Sequence, residues 1–338
     1  MEKTLEVHEK SQVGEVRRLV AEMAAAQGLS EADQGRAALV ATEASTNLVK
    51  YGKHGVINLS LQAERGLRGV QIVAMDKGPG FANFQASARD GHSTGGSLGI
   101  GLGVIMRASD VFDVYTQPAQ GSAFLSRILP RTAGAPPPPP VLAGTLSVGV
   151  RTTPKAGETE CGDAWVFTQA GRVQRLCVVD GLGHGPLAAR AAAEAVETVR
   201  DAADGDTPAA ILARAHERLQ PTRGAVMAVV AIDAMAGSLS FCGIGNIAGA
   251  VYAGDDAQHL LSVEGVVGYN ARAFRTQELR WTGGSVVILS SDGLSNRRSL
   301  ARYPGLLQHH ASLVASVMHR DFARDADDAT VLVAKGTR

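Results

Sequence analysis

The chain has 338 residues, with 33 Lys plus Arg against 33 Asp plus Glu and a formal net charge of zero. The balance is also local, because residues 1–131 carry 14 basic and 13 acidic side chains and residues 132–338 carry 19 and 20. Neither half therefore offers the cationic footprint that nucleic acid or an anionic membrane requires. An apolar fraction of 45% excludes a largely disordered chain, and 4% aromatic content with 39 glycines predicts cores of Ala, Val and Leu joined by tight turns.

Cys161, Cys177 and Cys242 are odd in number and show no CxxC spacing, which argues against a disulfide framework and a zinc ribbon. The start, MEKTLEVHEK, has no apolar signal region. No run reaches the ~18 apolar residues that a spanning helix needs. These features predict a soluble, cytoplasmic protein.

In chain order, residues 3–8 alternate as a short strand. Val13, Val16, Leu19, Val20 and Met23 give residues 12–27 one apolar helical face. Ser30 is placed to cap a helix running to about Tyr51, with Glu31 and Asp33 in its first turn. Strands are predicted at 56–63 and 69–75, a loop to about Leu98, a helix at about 101–109, and strands at 111–116 and 122–129. The sharpest break follows. Pro136 to Pro140 form an uninterrupted run that favours polyproline II and cannot sit inside a packed domain. At ~3.1 Å per residue it reads as a semi-rigid spacer of roughly 15 Å. The expected division is 1–131, a linker over 132–143, and 144–338.

Beyond the linker, strands are predicted near 145–151, 164–169, 173–180, 225–232, 238–243, 247–253, 285–290 and 330–334. Helices are predicted at 185–203, 207–219 and 305–319. Helices grouped between antiparallel-looking strands indicate an α+β fold rather than a parallel sheet.

Three features of the first half bear on chemistry. Glu43 and Asn47, in ATEASTNLVKYG, are four apart and share a helix face. An amide oxygen suits Mg²⁺, and a nearby carboxylate can deprotonate a hydroxyl; alone, the pair also reads as a solvated helix face. Asp76, in DKGPG after a strand, can accept from an amino group such as that of adenine, with Gly78 and Gly80 leaving room for a ring; alone, this reads as an ordinary turn. Gly95, Gly96, Gly99, Gly101 and Gly103 precede a short helix, at whose start glycine amides suit phosphate. No GK[ST] follows, so this is not a P-loop.

Taken together and in order, these segments resemble the N, G1 and G2 boxes of the GHKL ATPases. The compact size and short loop between the G1 and G2 boxes resemble the anti-sigma-factor serine kinases, particularly RsbT-like switch kinases. The resemblance covers about residues 1–131 and implies a Bergerat-type α/β sandwich that binds Mg-ATP. It implies Glu43 as base toward a serine hydroxyl, Asn47 as Mg²⁺ ligand and Asp76 as reader of adenine. Gly78, Gly80, Gly99, Gly101 and Gly103 would shape pocket and lid. Gly121-Ser122 resembles the late Gly-Thr element, with Ser in place of Thr. A sensor histidine kinase would need a helix pair bearing a phosphoacceptor His, whereas His8 falls in a predicted strand.

In the second half, Asp163, Asp180, Asp292, Asp327 and Asp328 stand beside Gly or Asp in predicted turns. Two of the turns end apolar runs, RLCVVD and VVILSSD. One such Asp is usually a cap; several suggest convergence on hard cations, which take oxygen ligands. His184, His309 and His310 lack the partners of a zinc site. The order of motifs, with DGLGHG, resembles the SpoIIE-type metal-dependent serine/threonine phosphatases, most closely the small RsbX-like ones. The resemblance runs from about 145 to 335. It implies a β-sandwich flanked by helices and two Mn²⁺ or Mg²⁺ ions. Asp180 would bridge the metals, the Gly181 carbonyl would ligate one, and Asp163, Asp292 and Asp327 would complete the shells directly or through water. Asp328 stays open as a ligand or a neighbour of one.

Three further residues have two readings each. Asn246 in GIGN belongs to a family loop or to a tight turn. His184 could protonate a leaving group, yet in a glycine-rich turn it reads as a loop or capping residue. Cys161 reads as a redox-sensitive thiol or, more simply, a buried inert one. The combined resemblance implies opposed reactions on one substrate class, small STAS-domain proteins phosphorylated on Ser or Thr in a partner-switching or stressosome pathway. An alternative keeps the phosphatase and makes the first domain a nucleotide-dependent docking module without phosphotransfer.

Overall fold

The computed structural model describes residues 2–64, 67–81, 98–131, 144–254, 256–295 and 299–336. The predicted proline linker and Gly95-Gly96 lie outside the described residues. The chain divides into two compact units, Met1–Pro140 with Tyr303–His309, and Val141–Arg302 with His310–Arg338.

The first unit orders its elements as β1 (Glu2–Glu6), α1 (Lys10–Ala26), α2 (Glu31–Tyr51), β2 (Val56–Glu64), β3 (Leu67–Asp76), α3 (Leu98–Ala108), β4 (Val111–Gln117) and β5 (Gly121–Ile128). Strand order is β1-β2-β3-β5-β4, with every pair antiparallel. Ser30 caps α2 as expected, its Oγ accepting from the Asp33 amide at 3.2 Å, an interaction worth about 1 kcal/mol. The helices bury Val16, Val20, Ala37, Val40, Ala41 and Ala44 against Ile57, Leu59, Val70, Ile72 and Ala74. The strand residues follow a period of two and the helix residues a period near 3.6, so one sheet face and two helix faces close a single core. The alanines of α2 let it lie close to the sheet. The third helix begins at Leu98, three residues before its expected start.

The second unit is a sandwich of two five-stranded sheets. One has the order β13-β10-β9-β8-β7, with β7 at Asp163–Ala170, β8 at Val173–Gly181, β9 at Ala225–Asp233, β10 at Ser238–Ile244 and β13 at Gln277–Arg280. The other is β12-β11-β14-β15-β6, with β6 at Leu146–Thr153, β11 at Ala248–Ala253, β12 at Asp256–Leu260, β14 at Val286–Ser290 and β15 at Ala329–Gly336. Along β8, Leu176 and Val178 face the second sheet. Cys177 and Val179 pack instead with residues of α4 (Pro186–Arg200) and α5 (Pro208–Leu219). Burial on both faces is why β8 and β9 read as unbroken apolar runs. Each such side chain contributes about 1.5–3 kcal/mol relative to exposure.

The helix α6 (Ala311–Phe322) belongs with β6 and β15 of the second sheet. Gly149 permits the approach, since a Cβ there would lie 2.2 Å from the Ser312 amide nitrogen. The expected helix over 305–319 therefore starts six residues late. Residues 306–308 form a separate 3-10 turn, and His310 caps α6 by accepting from the Ser312 amide at 3.1 Å. Strands β12 and β13, absent from the sequence reading, each lie at one edge of their sheet. Among the described residues no helix is long and apolar enough to cross a membrane.

Candidate functional sites

In the first unit α2 carries Glu43 and Asn47 one turn apart. Opposite them lies Gly101 of α3. A Cβ at that position would stand 2.9 Å from Glu43 Oε2 and 3.5 Å from both polar atoms of the Asn47 amide. The Asn47 Nδ2 is buried without a hydrogen-bond partner among the described residues. A buried polar amide facing space that only a glycine leaves open suits a polar ligand.

Asp76 ends β3, and its Oδ1 accepts from the Gly78 amide at 2.6 Å. Glycines enclose it. A Cβ on Gly78 would lie 2.6 Å from Asp76 Oδ1, one on Gly121 would lie 2.0 Å from the Asp76 carbonyl oxygen, and one on Gly52 would lie 3.2 Å from Asp76 Cβ. Gly121 has φ +94° and Gly80 has φ +59°, conformations that L side chains rarely adopt. Ser122 faces Asp76 across the β3–β5 ladder, and its hydroxyl lies 3.1 Å from that of Thr116. Thr116 also accepts from the Phe81 amide at 2.9 Å, which fastens Phe81. Gly99, Gly101 and Gly103 all fall within α3 rather than ahead of it.

The second unit gathers carboxylates at one end of the sandwich. Asp163 and Asp180 are direct cross-strand partners on β7 and β8, a pairing that like charges disfavour. Asp163 is 5% exposed; its Oδ2 accepts from Ser291 Oγ at 2.6 Å, while Oδ1 is buried with no partner among the described residues. Asp328 is 3% exposed; its Oδ1 accepts from the Lys155 amide at 2.9 Å, and its Oδ2 is likewise unpartnered. Asp292 Oδ2 accepts from Asn246 Nδ2 at 2.8 Å, and Asp327 Oδ1 accepts from the Asp328 amide at 3.0 Å.

Burial pushes the Asp180 carboxyl up to about 8, and Asp163, Asp292, Asp327 and Asp328 all add to the rise by repulsion. Asp163 is pushed up to about 7 by burial first; the hydroxyls of Ser291 and Thr330 pull it down, and Asp328 and Asp292 push it up. Two buried carboxylate oxygens without donors, inside a cluster whose members repel one another, are oxygen donors of the kind that hard cations take. As the side chains stand, no three His, Cys, Asp or Glu among the described residues close on a common point at ligating distance.

The glycines of this site also keep space. A Cβ on Gly162 would lie 2.7 Å from Asp328 Oδ2, so a side chain there would fill the carboxylate pocket. A Cβ on Gly181 would lie 2.1 Å from the Ala188 carbonyl oxygen, which lets the first turn of α4 sit against the end of β8. The Gly181 amide donates to the Gly162 carbonyl at 3.0 Å, tying the two Asp-bearing turns together.

Several contributors were not visible as such in the sequence. Ser291 buttresses Asp163 and also accepts from the Thr330 amide at 2.9 Å. Asn246, read with equal weight as a turn residue, holds Asp292. Arg324 donates to the Asp292 carbonyl oxygen. His184 is held through Nδ1, 2.6 Å from Glu158 Oε1. The Cys161 thiol donates to the Thr153 carbonyl, and burial together with Asp163 pushes its pKa up, which matches the inert reading.

Both halves of the chain match known families. Residues 7–123 match the Histidine kinase-like ATPase domain family, and residues 170–336 match Stage II sporulation protein E (SpoIIE). Serine/threonine-protein kinase RsbT of Bacillus subtilis is 34% identical over 95 residues, which are 28% of this chain and 71% of RsbT. Phosphoserine phosphatase RsbX of the same organism is 27% identical over 143 residues, 42% of this chain and 71% of RsbX. A solved chain from the bacterial stressosome, "a modular system that has been adapted to control secondary messenger signaling", superposes with a TM-score of 0.53 at 30% identity, covering 56% of this chain and all of its own length. The chain belongs to the histidine kinase-like ATPase family through an RsbT-like kinase-type domain, joined to a SpoIIE-type domain that resembles the phosphatase RsbX.

Proposed function

We propose that the chain is a bifunctional regulator of a partner-switching or stressosome pathway. Residues 144–338 would remove phosphate from Ser or Thr of a STAS-domain protein. Residues 1–131 would bind Mg-ATP and phosphorylate the same class of substrate, with 132–143 as linker. The observation that carries the reading is the direct pairing of Asp163 with Asp180 across β7 and β8, beside two buried, donorless carboxylate oxygens on Asp163 and Asp328.

In this reading Asp180, Asp163, Asp292, Asp327 and the Gly181 carbonyl hold two divalent cations, Mn²⁺ or Mg²⁺. Such ions, when bound, supply a water of lowered pKa and positive charge for phosphoryl oxygens. The chain's own part is positional. Ser291 and Asn246 fix Asp163 and Asp292 through one oxygen each, leaving the other oxygen for a ligand. In the first domain, Asn47 ligates Mg²⁺ and Glu43 takes the proton of the attacking hydroxyl. Asp76 accepts from the adenine amino group. Gly78, Gly80, Gly99, Gly101 and Gly103 keep pocket and lid open, and Ser122 lines the pocket beside Asp76.

Incubation with phosphorylated STAS protein and Mn²⁺ should release phosphate, and Asp180→Ala or Asp292→Ala should abolish the release. Release that persists in both variants defeats the phosphatase reading. Labelled ATP and unphosphorylated STAS protein should give label transfer that Glu43→Ala abolishes; nucleotide-dependent binding without transfer would make the first domain a docking module.

A further inference from the structure

The turn between Asp180 and α4 borders a surface that the phosphatase chemistry does not use. The β8–β9 ladder pairs Asp180 with Val226 and Gly181 with Ala225. It runs on by one more bond, from the Leu182 amide to the Gly224 carbonyl at 3.0 Å. The same register sets Gly183 opposite Arg223, and a Cβ on Gly183 would lie 3.1 Å from Arg223 Nη1. Arg223 thus stands three residues along the strand direction from the partner of Asp180, which at ~3.3 Å per residue is roughly 10 Å.

A cavity of about 170 Å³ opens there, lined by Leu187, Arg190, Pro221, Thr222 and Arg223. Thr222 fixes its floor, accepting from the Gly224 amide at 3.0 Å and donating to the Leu219 carbonyl at 2.7 Å. Arg190 and Arg223 are exposed and form no ion pair or hydrogen bond among the described residues. Glu158, in the neighbouring loop, pairs with His184 instead. Leu187 is 53% exposed and Leu182 39% exposed at the same edge. Two unspent guanidinium groups next to two bare leucines describe a surface for a protein segment that is acidic and partly apolar.

We infer that Arg190 and Arg223 form a docking site for an acidic side chain of the phosphoprotein substrate, two or three residues from its phosphoserine, with Leu182 and Leu187 taking an apolar neighbour. The inference rests on the phosphatase reading above. The backbone of Arg223 lies roughly 10 Å along the strand from the partner of Asp180, the span of three residues of extended peptide, which puts an acidic side chain two or three residues from the phosphoserine within its reach. Charge complementarity chooses a carboxylate over any cationic or neutral occupant.

The test uses the full chain with Mn²⁺, an aryl phosphate, and two phosphoserine peptides. One peptide carries glutamate at two and three residues to either side of the phosphoserine, and the other carries lysine there. The wild type should hydrolyse the aryl phosphate and favour the glutamate peptide at least tenfold in kcat/KM. The R190E/R223E variant should invert that preference, and the milder R190Q/R223Q should erase it. Wild-type turnover of the aryl phosphate without discrimination between the peptides overturns the inference and spares the phosphatase reading. The inference also falls if both peptides lose rate equally in the variants. Absence of all hydrolysis overturns the phosphatase reading itself, and the docking site with it.

Discussion

The two sites are built by opposite means. The first unit makes its site by omission: Gly52, Gly78, Gly101 and Gly121 withhold Cβ atoms around Asp76, Glu43 and Asn47, and the space so left is what the site offers. The second unit makes its site by concentration, setting Asp163 and Asp180 face to face on neighbouring strands with three more aspartates in electrostatic reach. A site made of space is damaged by adding atoms. A site made of uncompensated charge costs the empty fold stability, so removing a charge should cost function and relieve the fold together.

The largest expected effect follows from that opposition. Asp180→Asn keeps shape and hydrogen-bonding capacity but removes one of the mutually repelling charges. Phosphatase kcat/KM should fall by at least about a thousandfold, ~4 kcal/mol of barrier. The cation-free variant should nevertheless be more stable than the wild type at pH 8, by about 1 kcal/mol or more, because burial and four carboxylates oppose ionisation there. Thermal melts in chelator read the second effect. A variant less stable than the wild type would mean that Asp180 contributes to the fold beyond its charge.

Much of this contrast is legible from residues, and the unread parts share a cause. Ser30, the β8 and β9 runs, and the helix bearing Glu43 and Asn47 declare themselves because local pattern and tertiary demand agree. Strands β12 (DAQHL) and β13 (QELR) do not, because an outer strand needs no apolar alternation and its polar side chains protect an open edge. The start of α6 is hidden for another reason. Leu306 and Leu307 extend the apolar pattern upstream, whereas the cap is a histidine, which sequence rules do not nominate. Within the sites, the aspartates are marked by their turns. The groups that hold them are not. Ser291 reads as one more polar residue after VVILS, and its role depends on facing Asp163, 128 residues away in the chain. Arg190 and Arg223 carry no motif at all; their interest lies in having no partner, which only the folded arrangement reveals.

The next effect concerns pH and divalent cation. Burial and repulsion from neighbouring carboxylates push the Asp163 and Asp180 carboxyls up to about 7 and about 8 in the fold, above the ordinary carboxylate value of ~3.9. Between about pH 4 and pH 8 the folded state therefore binds more protons than the unfolded state, and the cation-free fold loses stability as pH rises through that window. A cation must displace those protons, so its apparent affinity should climb on the order of a hundredfold from pH 6 to pH 8. The shift in melting temperature on adding Mg²⁺ should be clearly larger at pH 8. Taking that shift at each pH cancels His319, whose pKa burial and then Arg151 hold down to about 3 and which therefore works in the opposite sense, weakening the fold as pH falls below ~6.5. An equal or larger shift at pH 6 would show that the carboxylates are not where the ion binds.

The smallest effect tests the glycine-built site with one methyl group. Gly101→Ala places its Cβ 2.9 Å from Glu43 Oε2 and 3.5 Å from the Asn47 amide. Those are the far ends of side chains, which can give way. Alanine is also about 1 kcal/mol better than glycine in a helix interior, so stability should change by no more than about 1 kcal/mol in either direction. The displaced groups are the ones proposed to meet the hydroxyl and the metal-bound nucleotide. ATP affinity should therefore drop about tenfold, ~1.4 kcal/mol, read by titration calorimetry. The same change at Gly181 would press a Cβ to 2.1 Å from the Ala188 carbonyl oxygen, a backbone atom with little freedom to retreat, so there stability should fall along with function. If Gly101→Ala instead lowers stability while binding ATP normally, the space at α3 serves packing, and the first site is not defined by what its glycines leave out.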